Sequence, residues 1–501
     1  MQNELQPGVN KNHNYNWDLF VIGAGSGGLS AAKGAVDLGA KVAIADYVKP
    51  SVQGTTWGIG GTCVNVGCIP KKLLHFAALS GGLKRDMAEA GWEIDPNAKH
   101  NWGKMMQNVN NHVKSLNWGY RQMLRGSGIK HFSMLAKLID AHTVELDDGK
   151  GKIIQETADK IVIAVGGRPT YLDVPGSREY CISSDDLFWL QEPTKKTLMI
   201  GAGYIAMECA GFLHALGNET SLMVRSTPLR NFDQDMVKRV VQAMTDEGIK
   251  FIQNSTPTRF EKSPENEQQV RVFWNQDGLE QFEDYDTVMQ AIGRYADTKL
   301  LNLDAVGVQH KEGKIIVKDN QTTVDNIYAI GDVCYGSPEL TPVAIREAEL
   351  LLARLYQGST ESLDPTHIAT TIFTPLEYAC IGLAEETARK RYGADAVEVY
   401  HMAFKPLEWN FLKFDRPNDL CYAKLIVNEK DSDRVVGLHF VGPNAGEVMQ
   451  GYAVAITAGL TYKAFQKTIS IHPTVSEEIV QLTVKKSVQP VVAKKGCCAK
   501  E

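Results

Sequence analysis

The sequence predicts an α/β protein with two Rossmann-like nucleotide-binding domains and a C-terminal α+β domain, on three observations. A short apolar strand runs directly into Gly23-Ala-Gly25-Ser26-Gly27-Gly28 and an Ala-rich helix. A second strand–glycine–helix unit starts at Thr197-Leu-Met-Ile200 and repeats the turn at Gly201-Ala-Gly203, 178 residues after Gly23. At 501 residues the chain is too long for one hydrophobic core and has room for about three domains.

The elements follow in order. Residues 1–17 are a polar, Asn-rich tail that includes Glu4 and lacks Arg, the pattern of neither a signal nor a transit peptide. The strand Asp18–Ile22 leads into the first glycine turn, and Lys41–Ala45 forms the next strand, ending at Asp46. Residues 80–130 have a helical pattern, and a β-rich section then closes at Ile161-Val-Ile-Ala-Val-Gly-Gly-Arg-Pro169. Residues 18–170 are therefore read as one nucleotide-binding domain and 171–296 as the other, since internal repetition marks a second site. Thr323–Asp332 returns to strand character, and 297–366 is assigned to the first domain as its second part. Residues 367–488 make the α+β domain, and 489–501 is a Lys- and Val-rich tail without periodicity, read as flexible.

Composition narrows the function classes. Hydrophobic residues at 44% and charged residues at 22% are ordinary for a globular protein. A formal charge of −6 argues against nucleic acid or an anionic membrane as partner. No stretch approaches the roughly 18 apolar residues of a membrane helix, so the expected location is the cytoplasm. Nine cysteines, an odd number spread over a large chain, do not form a secreted disulfide framework. Closely spaced cysteines in such a chain point to catalysis or metal binding.

Glycine at 23, 25 and 28 permits a tight turn and close approach of backbone to a pyrophosphate at a helix N-terminus. Asp46 at the end of the second strand suits a ribose hydroxyl and repels a 2′-phosphate. The second turn, Gly201-Ala-Gly203-Tyr204-Ile205-Ala206, has Ala at the third position, which the fingerprint tolerates. Its second strand ends in Arg225, with Arg230 close behind. Guanidinium forks in place of an acid select a 2′-phosphate, and so NADPH over NADH. The bland alternatives are a structural glycine turn and solvated surface arginines.

Between the two units lies Gly60-Gly61-Thr62-Cys63-Val-Asn-Val-Gly67-Cys68-Ile-Pro-Lys71-Lys72, with four residues separating two cysteines. On an ideal helix their Cα atoms would be roughly 8.6 Å apart, beyond the about 4.4–6.8 Å of a disulfide. The pair can bond only if Cys63 sits on non-helical backbone, which Gly60, Gly61 and Gly67 permit. We read it as a redox-active dithiol. An FAD-like site, an NADPH-like site and a dithiol define a reaction type, in which hydride passes from nicotinamide to flavin and the flavin reduces a disulfide.

Two features near the C-terminus complete the candidate set. Ile471-His472-Pro-Thr-Val-Ser-Glu477-Glu478 offers a histidine, the side-chain type suited to accept a proton in dithiol exchange, and Glu477 could fix its tautomer. Cys497 and Cys498 are adjacent, and a disulfide between neighbours is strained and readily reduced. The alternatives there are exposed thiols or a soft-metal grip.

At these residues the chain resembles the FAD flavoprotein disulfide oxidoreductases, and most of all the large thioredoxin reductases of animals, from about residue 17 onward. The motif from Gly60 to Lys72 has the form shared by glutathione and thioredoxin reductases. Ala329-Ile-Gly-Asp332 matches the segment whose Asp holds the flavin ribityl chain, and Leu340-Thr341-Pro-Val-Ala-Ile345 follows it. Pro406-Leu-Glu-Trp409, Cys421-Tyr-Ala-Lys424 and Gly442-Pro-Asn-Ala-Gly-Glu447 resemble thioredoxin reductases specifically. The resemblance implies a head-to-tail homodimer whose C-terminal α+β domain is the dimerisation domain, thioredoxin as substrate, and no required metal. It makes Cys68 the thiol contacting the flavin and Cys63 the interchange thiol, with His472 and Glu477 supplied by the other subunit. It adds Ser26, Gly27, Thr62, Ala136, Asp332 and Thr341 to the flavin set, pairs Lys71 with Glu208 near the flavin N5, and makes Tyr204 the gate of a nicotinamide pocket that also includes Ile205 and Gly293. Cys497 and Cys498 would carry electrons from the partner's dithiol to thioredoxin.

The chain departs from that pattern in three places. Cys498 stands where vertebrate enzymes carry selenocysteine, three residues follow it where the family usually has one, and Ala296 replaces the Pro of a Gly-Arg-x-Pro motif. The competing readings are a glutathione-disulfide reductase, another flavin disulfide reductase, and a redox-inert flavoprotein scaffold. Glutathione reductases hold the tripeptide carboxylates with arginines, and the corresponding positions here are Lys33 and Glu349. An inert scaffold is expected to lose Cys63, Cys68 or His472, and all are present.

Overall fold

The computed structural model describes residues 8–491 apart from residues 10, 96, 97, 412–415 and 418. They form two compact units. The first is drawn from the chain up to Leu73, Trp102–Pro193 and Ile292–Leu363; the second from Leu74–Asn101, Thr194–Ala291 and the chain from Asp364 onward. Among the described residues no helix is long and apolar enough to cross a membrane.

The first unit opens with β1 (Trp17–Ile22), α1 (Ser26–Asp37), β2 (Val42–Ala45), α2 (Gly61–Val66) and the start of α3 (Cys68–Glu89). It continues with α4 (Trp102–Gly126), β3 (Lys130–Phe132), β4 (Leu135–Leu138), β5 (Thr143–Asp147) and β6 (Ile153–Ile163). The sheet order is β3-β2-β1-β6-β5-β4, with the strand Ile327–Ala329 added on β6. β1 pairs in parallel with β2 and β6, whereas β4, β5 and β6 form an antiparallel meander. A parallel strand covered on both faces reads as a continuous apolar run, and Leu19, Phe20 and Val21 are fully buried. On one face α1 packs Ala31, Ala32 and Ala35 in one cluster with Leu351, Leu352 and Tyr356 of the helix Thr341–Gln357.

Register positions the site. Ile22 lies opposite Ala45, so the chain leaves both strands at one level, with Gly23 and Asp46 next to each other. Gly23 N–H donates to the Ala45 carbonyl at 2.8 Å.

Residues 171–193, read from sequence as part of the second nucleotide domain, cluster with the first unit. Side chains hold them there: Thr55 Oγ1 donates to Asp186 at 2.8 Å, Arg168 pairs with Asp185 at 2.9 Å, and Trp102 Nε1 donates to the Leu190 carbonyl at 3.0 Å. Residues 74–101 belong to the second unit, where His75 meets Glu377 at 3.0 Å and Asp86 meets Arg416 at 3.0 Å.

The second unit holds β7 (Thr197–Ile200), α5 (Tyr204–Ala215) and β8 (Thr220–Val224). These strands lie in a parallel sheet ordered Lys250–Gln253, β8, β7, Thr287–Gln290. Beyond Asp364 a five-stranded antiparallel sheet runs Thr370–Ile372, Tyr378–Gly382, Arg434–Val441, Cys421–Asn428, Val397–Phe404.

Lys424 sits in that sheet with no exposed side-chain surface. An unpaired ammonium there would carry a large desolvation penalty. Instead Asp233 lies at 2.9 Å, Asp235 at 2.9 Å and Glu385 at 2.6 Å. Lys486 reaches Asp235 and Glu385 at 2.6 and 2.7 Å, and Arg389 reaches Glu385 at 2.9 Å. Burial pushes the Asp235 and Glu385 carboxyls up, but Lys424 and Lys486 outweigh it, holding Asp235 well below the usual range and Glu385 down to about 2.

Lys424→Met is expected to lower the unfolding free energy by about 3–5 kcal/mol at neutral pH, since it strands buried carboxylates; the denaturant midpoint measures this. Because both carboxyls titrate lower folded than unfolded, their stabilisation is complete above about pH 4.5 and is lost as pH falls toward about 2. The wild-type midpoint is expected to fall more steeply across that window than that of K424M.

Candidate active site

The first glycine turn tolerates no side chain at two positions. Gly23 has φ +103°, and a Cβ there would lie 2.4 Å from the Ala164 carbonyl oxygen. A Cβ on Gly28 would lie 1.9 Å from the Gly23 oxygen. α1 begins behind Gly25 with no side-chain cap and no acidic residue in its first turn, which leaves its opening N–H groups and positive dipole end for an anion. Asp46 accepts the Ala24 N–H at 2.9 Å, and burial raises its carboxyl. This donor set fits the pyrophosphate and ribose of a dinucleotide.

Residues from distant segments meet the turn. Ser26 Oγ lies 3.5 Å from Thr341 Oγ1. Asp332 lies on the turn Gly331–Val333, where buried Glu347 accepts the Gly331 N–H at 2.6 Å. Burial, then the Glu339 charge, raises the Asp332 carboxyl. Ala136 is buried on β4, and the Gly293 carbonyl accepts from Thr170 N–H at 3.0 Å within this unit.

The redox motif docks on the same turn through glycine. Gly60 N–H donates to the Ala24 carbonyl at 3.0 Å, and a Cβ on Gly61 would sit 2.6 Å from the Gly25 Cα. Sequence reasoning placed Cys63 on non-helical backbone; it lies inside α2, and the interruption falls at Gly67. There a Cβ would lie 2.9 Å from the Thr62 carbonyl oxygen, so the chain can fold back only without a side chain. Cys68 then opens α3, and Lys71, one turn on, donates its N–H to the Gly67 carbonyl at 3.0 Å. Both cysteines are thiols. A hydrogen bond with Cys68, followed by burial, pushes the Cys63 thiol far up, while Cys68 Sγ lies 3.8 Å from Thr341 Oγ1.

In the second unit, Gly201 has φ +119° and Gly203 caps α5, again with no side-chain cap and no acidic residue in the first turn. A Cβ on Gly203 would meet nothing within 4 Å, so the approach is open. Ala206 is fully buried at the third glycine position, and Ile205 and Tyr204 precede it, Tyr204 at 38% exposure. Glu208 is buried and accepts the Phe373 N–H at 2.8 Å. Arg225 and Arg230 stand exposed just past β8, and Leu229 N–H ties their loop to the Ala202 carbonyl at 2.9 Å. Two guanidiniums beside an open helix N-terminus fit a 2′-phosphate dinucleotide.

His472 and Glu477 are brought together. Thr474 Oγ1 caps the helix Val475–Val480 by accepting the Glu477 N–H at 3.2 Å. The Glu477 carboxylate then meets His472 Nδ1 at 3.0 and 3.1 Å. His472 is 60% exposed and Glu477 5%. With Nδ1 donating to the carboxylate, the lone pair falls on Nε2 of an accessible ring.

Residues 17–348 match the family of pyridine nucleotide-disulphide oxidoreductases, and residues 368–483 match the dimerisation domain of that family. The chain belongs to this family. It is also similar to a protein named thioredoxin reductase SEP1 of Emiliania huxleyi, with 48% identity over 491 residues, covering 96% of this chain and 98% of the relative.

The oxidoreductase has supporting residues that sequence reasoning passed over. Asn117 on α4 donates to the Ile59 carbonyl at 2.6 Å and to Asn65 Oδ1 at 2.9 Å, while Asn65 donates to the Gly61 carbonyl at 2.9 Å. The available signal was an Asn on the buried stripe of α4, in register with Val109 and Val113. Arg294 donates to Thr62 Oγ1 at 3.2 Å. At the two positions that bear on glutathione, Lys33 pairs with Asp37, and Glu349 pairs with Arg346 at 3.0 Å. Cys497 and Cys498 lie outside the described residues.

Gly61→Ala is expected to destabilise the protein by about 2–4 kcal/mol, combining a left-handed backbone with a backbone clash, and to lower the flavin-to-protein absorbance ratio. Replacing Arg225 and Arg230 together by Ala is expected to raise the KM for NADPH by about 10- to 100-fold, the worth of charge-assisted bonds, and to leave that for NADH unchanged in steady-state kinetics.

Proposed function

We propose that this oxidoreductase is an NADPH-dependent thioredoxin reductase that uses FAD, the Cys63–Cys68 dithiol and the Cys497–Cys498 tail of a second subunit in a head-to-tail homodimer. The observation that carries the reading is the docking of the dithiol segment on the first dinucleotide turn through Gly61 and Gly25. Similarity over nearly the full length, at 48% identity, to a protein named thioredoxin reductase supports the substrate. The absence of a secreted disulfide pattern among nine cysteines supports a cytoplasmic setting.

The balance is two electrons. NADPH and one proton convert a thioredoxin disulfide to a dithiol and NADP⁺. A bound flavin supplies the passage from a hydride donor to a disulfide. The chain supplies the rest. The α1 N-terminus and Asp46 would hold one dinucleotide; the α5 N-terminus, Arg225 and Arg230 would hold the other. On the family resemblance Tyr204 would cover a bound nicotinamide, and Lys71 and Glu208 would serve a bound flavin.

Cys63 needs help to react, because its bond with Cys68 and its burial keep it protonated. His472 meets that need: Glu477 fixes its tautomer and leaves Nε2 to take the proton. The Cys63 thiolate then attacks the tail disulfide and releases one tail thiolate, which the histidine protonates. Cys68 resolves the mixed disulfide, leaving Cys63–Cys68 oxidised and the tail pair reduced. Glutathione disulfide is a poor fit, since Glu349 repels a substrate carboxylate where an arginine is required.

Deleting residues 497–501 is expected to abolish thioredoxin turnover while NADPH still reduces the flavin, followed as bleaching of flavin absorbance. Full thioredoxin activity in the truncated protein overturns the relay. Efficient turnover of glutathione disulfide by the intact protein overturns the substrate assignment.

A further inference from the structure

Val397–Phe404 is an edge strand of the five-stranded sheet, and edges expose unpaired N–H and C=O groups. The chain that follows the helix Val475–Val480 returns to fill this edge. His401 N–H donates to the Val484 carbonyl at 3.0 Å, Lys486 N–H donates to the Val399 carbonyl at 2.8 Å, and Tyr400 and Lys485 form an antiparallel bridge. Side chains add to the hold. Ser487 Oγ donates to Glu398 at 2.8 Å, and Lys485 meets Glu429 at 3.1 Å and Glu398 at 3.4 Å. Tyr422 OH donates to His401 Nδ1 at 2.6 Å, which puts the ring proton on Nε2 to hold the Gln489 carbonyl at 2.7 Å.

Lys486 contributes most, through charge balance. Asp233, Asp235 and Glu385 face Lys424, Arg389 and Lys486, three anions against three cations. Four of the six charges belong to helices and strands of the unit and a fifth, Asp233, caps a helix; the sixth arrives on the segment leading to the tail. Without it a net negative charge is left around a fully buried lysine.

We infer that residues 484–489 are the anchor of the redox tail and that Lys486 is its positioning residue. The inference rests on the relay proposed above. The anchor sets where the tether starts. Cys497 lies eight residues beyond Gln489, a reach of at most about 26–29 Å. If the anchor lets go, the last fixed point is Leu482, whose carbonyl accepts from Tyr462 OH at 3.0 Å. The stretch from that point to Cys497 is then fifteen residues rather than eight, and nearly doubling the length of a linker lowers the effective concentration of what it carries about 2- to 3-fold under the −3/2 power of length.

The test uses full-length, flavin-loaded protein carrying Lys486→Met, Lys486→Arg or Ser487→Ala. In K486M the kcat for thioredoxin is expected to fall about 2- to 3-fold or more, the rate of flavin reduction by NADPH to stay unchanged, and amide hydrogen exchange at residues 487–491 to accelerate. K486R restores both readouts, because Arg reaches the same carboxylates. S487A, which leaves the charge cluster intact, gives a smaller loss in the same direction and decides the matter if K486M does not fold. Unchanged kcat and exchange overturn the anchor, as does a K486M defect shared by flavin reduction. Failure of the relay is separate: it shows as full turnover after deletion of 497–501, with the exchange readout in K486M still standing.

Discussion

The first unit depends on two stretches of backbone that touch where neither has a side chain. Gly61 approaches Gly25 so closely that a Cβ would sit 2.6 Å from the Gly25 Cα, and Gly60 bonds to Ala24 beside it. The glycine turn after β1 and the helix that carries Cys63 are thus one packed object. Interiors of this density transmit small displacements, so the dithiol cannot move without disturbing the nucleotide turn. Asn117 closes the other side by gripping Ile59 and Asn65. The cysteines have a fixed address because glycine and amide groups on both flanks leave them no other.

That rigidity has a chemical counterpart. A thiol buried next to a second thiol is reluctant to ionise, so the pair is protected until a base is brought to it. The His472–Glu477 couple has that form: an exposed ring with its other nitrogen already committed to a buried carboxylate. The stretch that carries this couple lies within the residues that match a dimerisation domain.

Sequence alone revealed what is written over short spans. The glycine turns, Asp46 at the end of β2, the arginines after β8 and the five-residue step from His472 to Glu477 are constraints of local backbone and helix capping, and the structure has each in the expected local setting. The helix break escaped because a glycine between two cysteines does not declare which of them it frees from helical backbone; Gly67 breaks the helix while Cys63 stays in it. The charge cluster escaped as well. Cys421-Tyr-Ala-Lys424 resembled a known motif, yet nothing near Lys424 in sequence announces Asp233 or Lys486. The membership of residues 171–193 was hidden for the same reason, since Asp186 takes its partner Thr55 from far away in the chain.

The strand Ile327–Ala329 pairs with β6, so the sheet begun at Trp17 is incomplete until Ala329 has been synthesised. All of β7, α5 and β8 leaves the ribosome in between, with every parallel partner of that four-stranded sheet supplied by residues 197–290. Domains fold as units when their strands are available. The insertion can therefore close its sheet while the earlier one still has an open edge on β6, and of these two sheets the one that is first in sequence is the last to be finished. Its glycine turn and both cysteines are present in the nascent chain from the beginning, but the helix Thr341–Gln357 that packs on α1 arrives only after the whole of residues 197–290. The packing behind the glycine turn is thus completed only once the inserted sheet has been made.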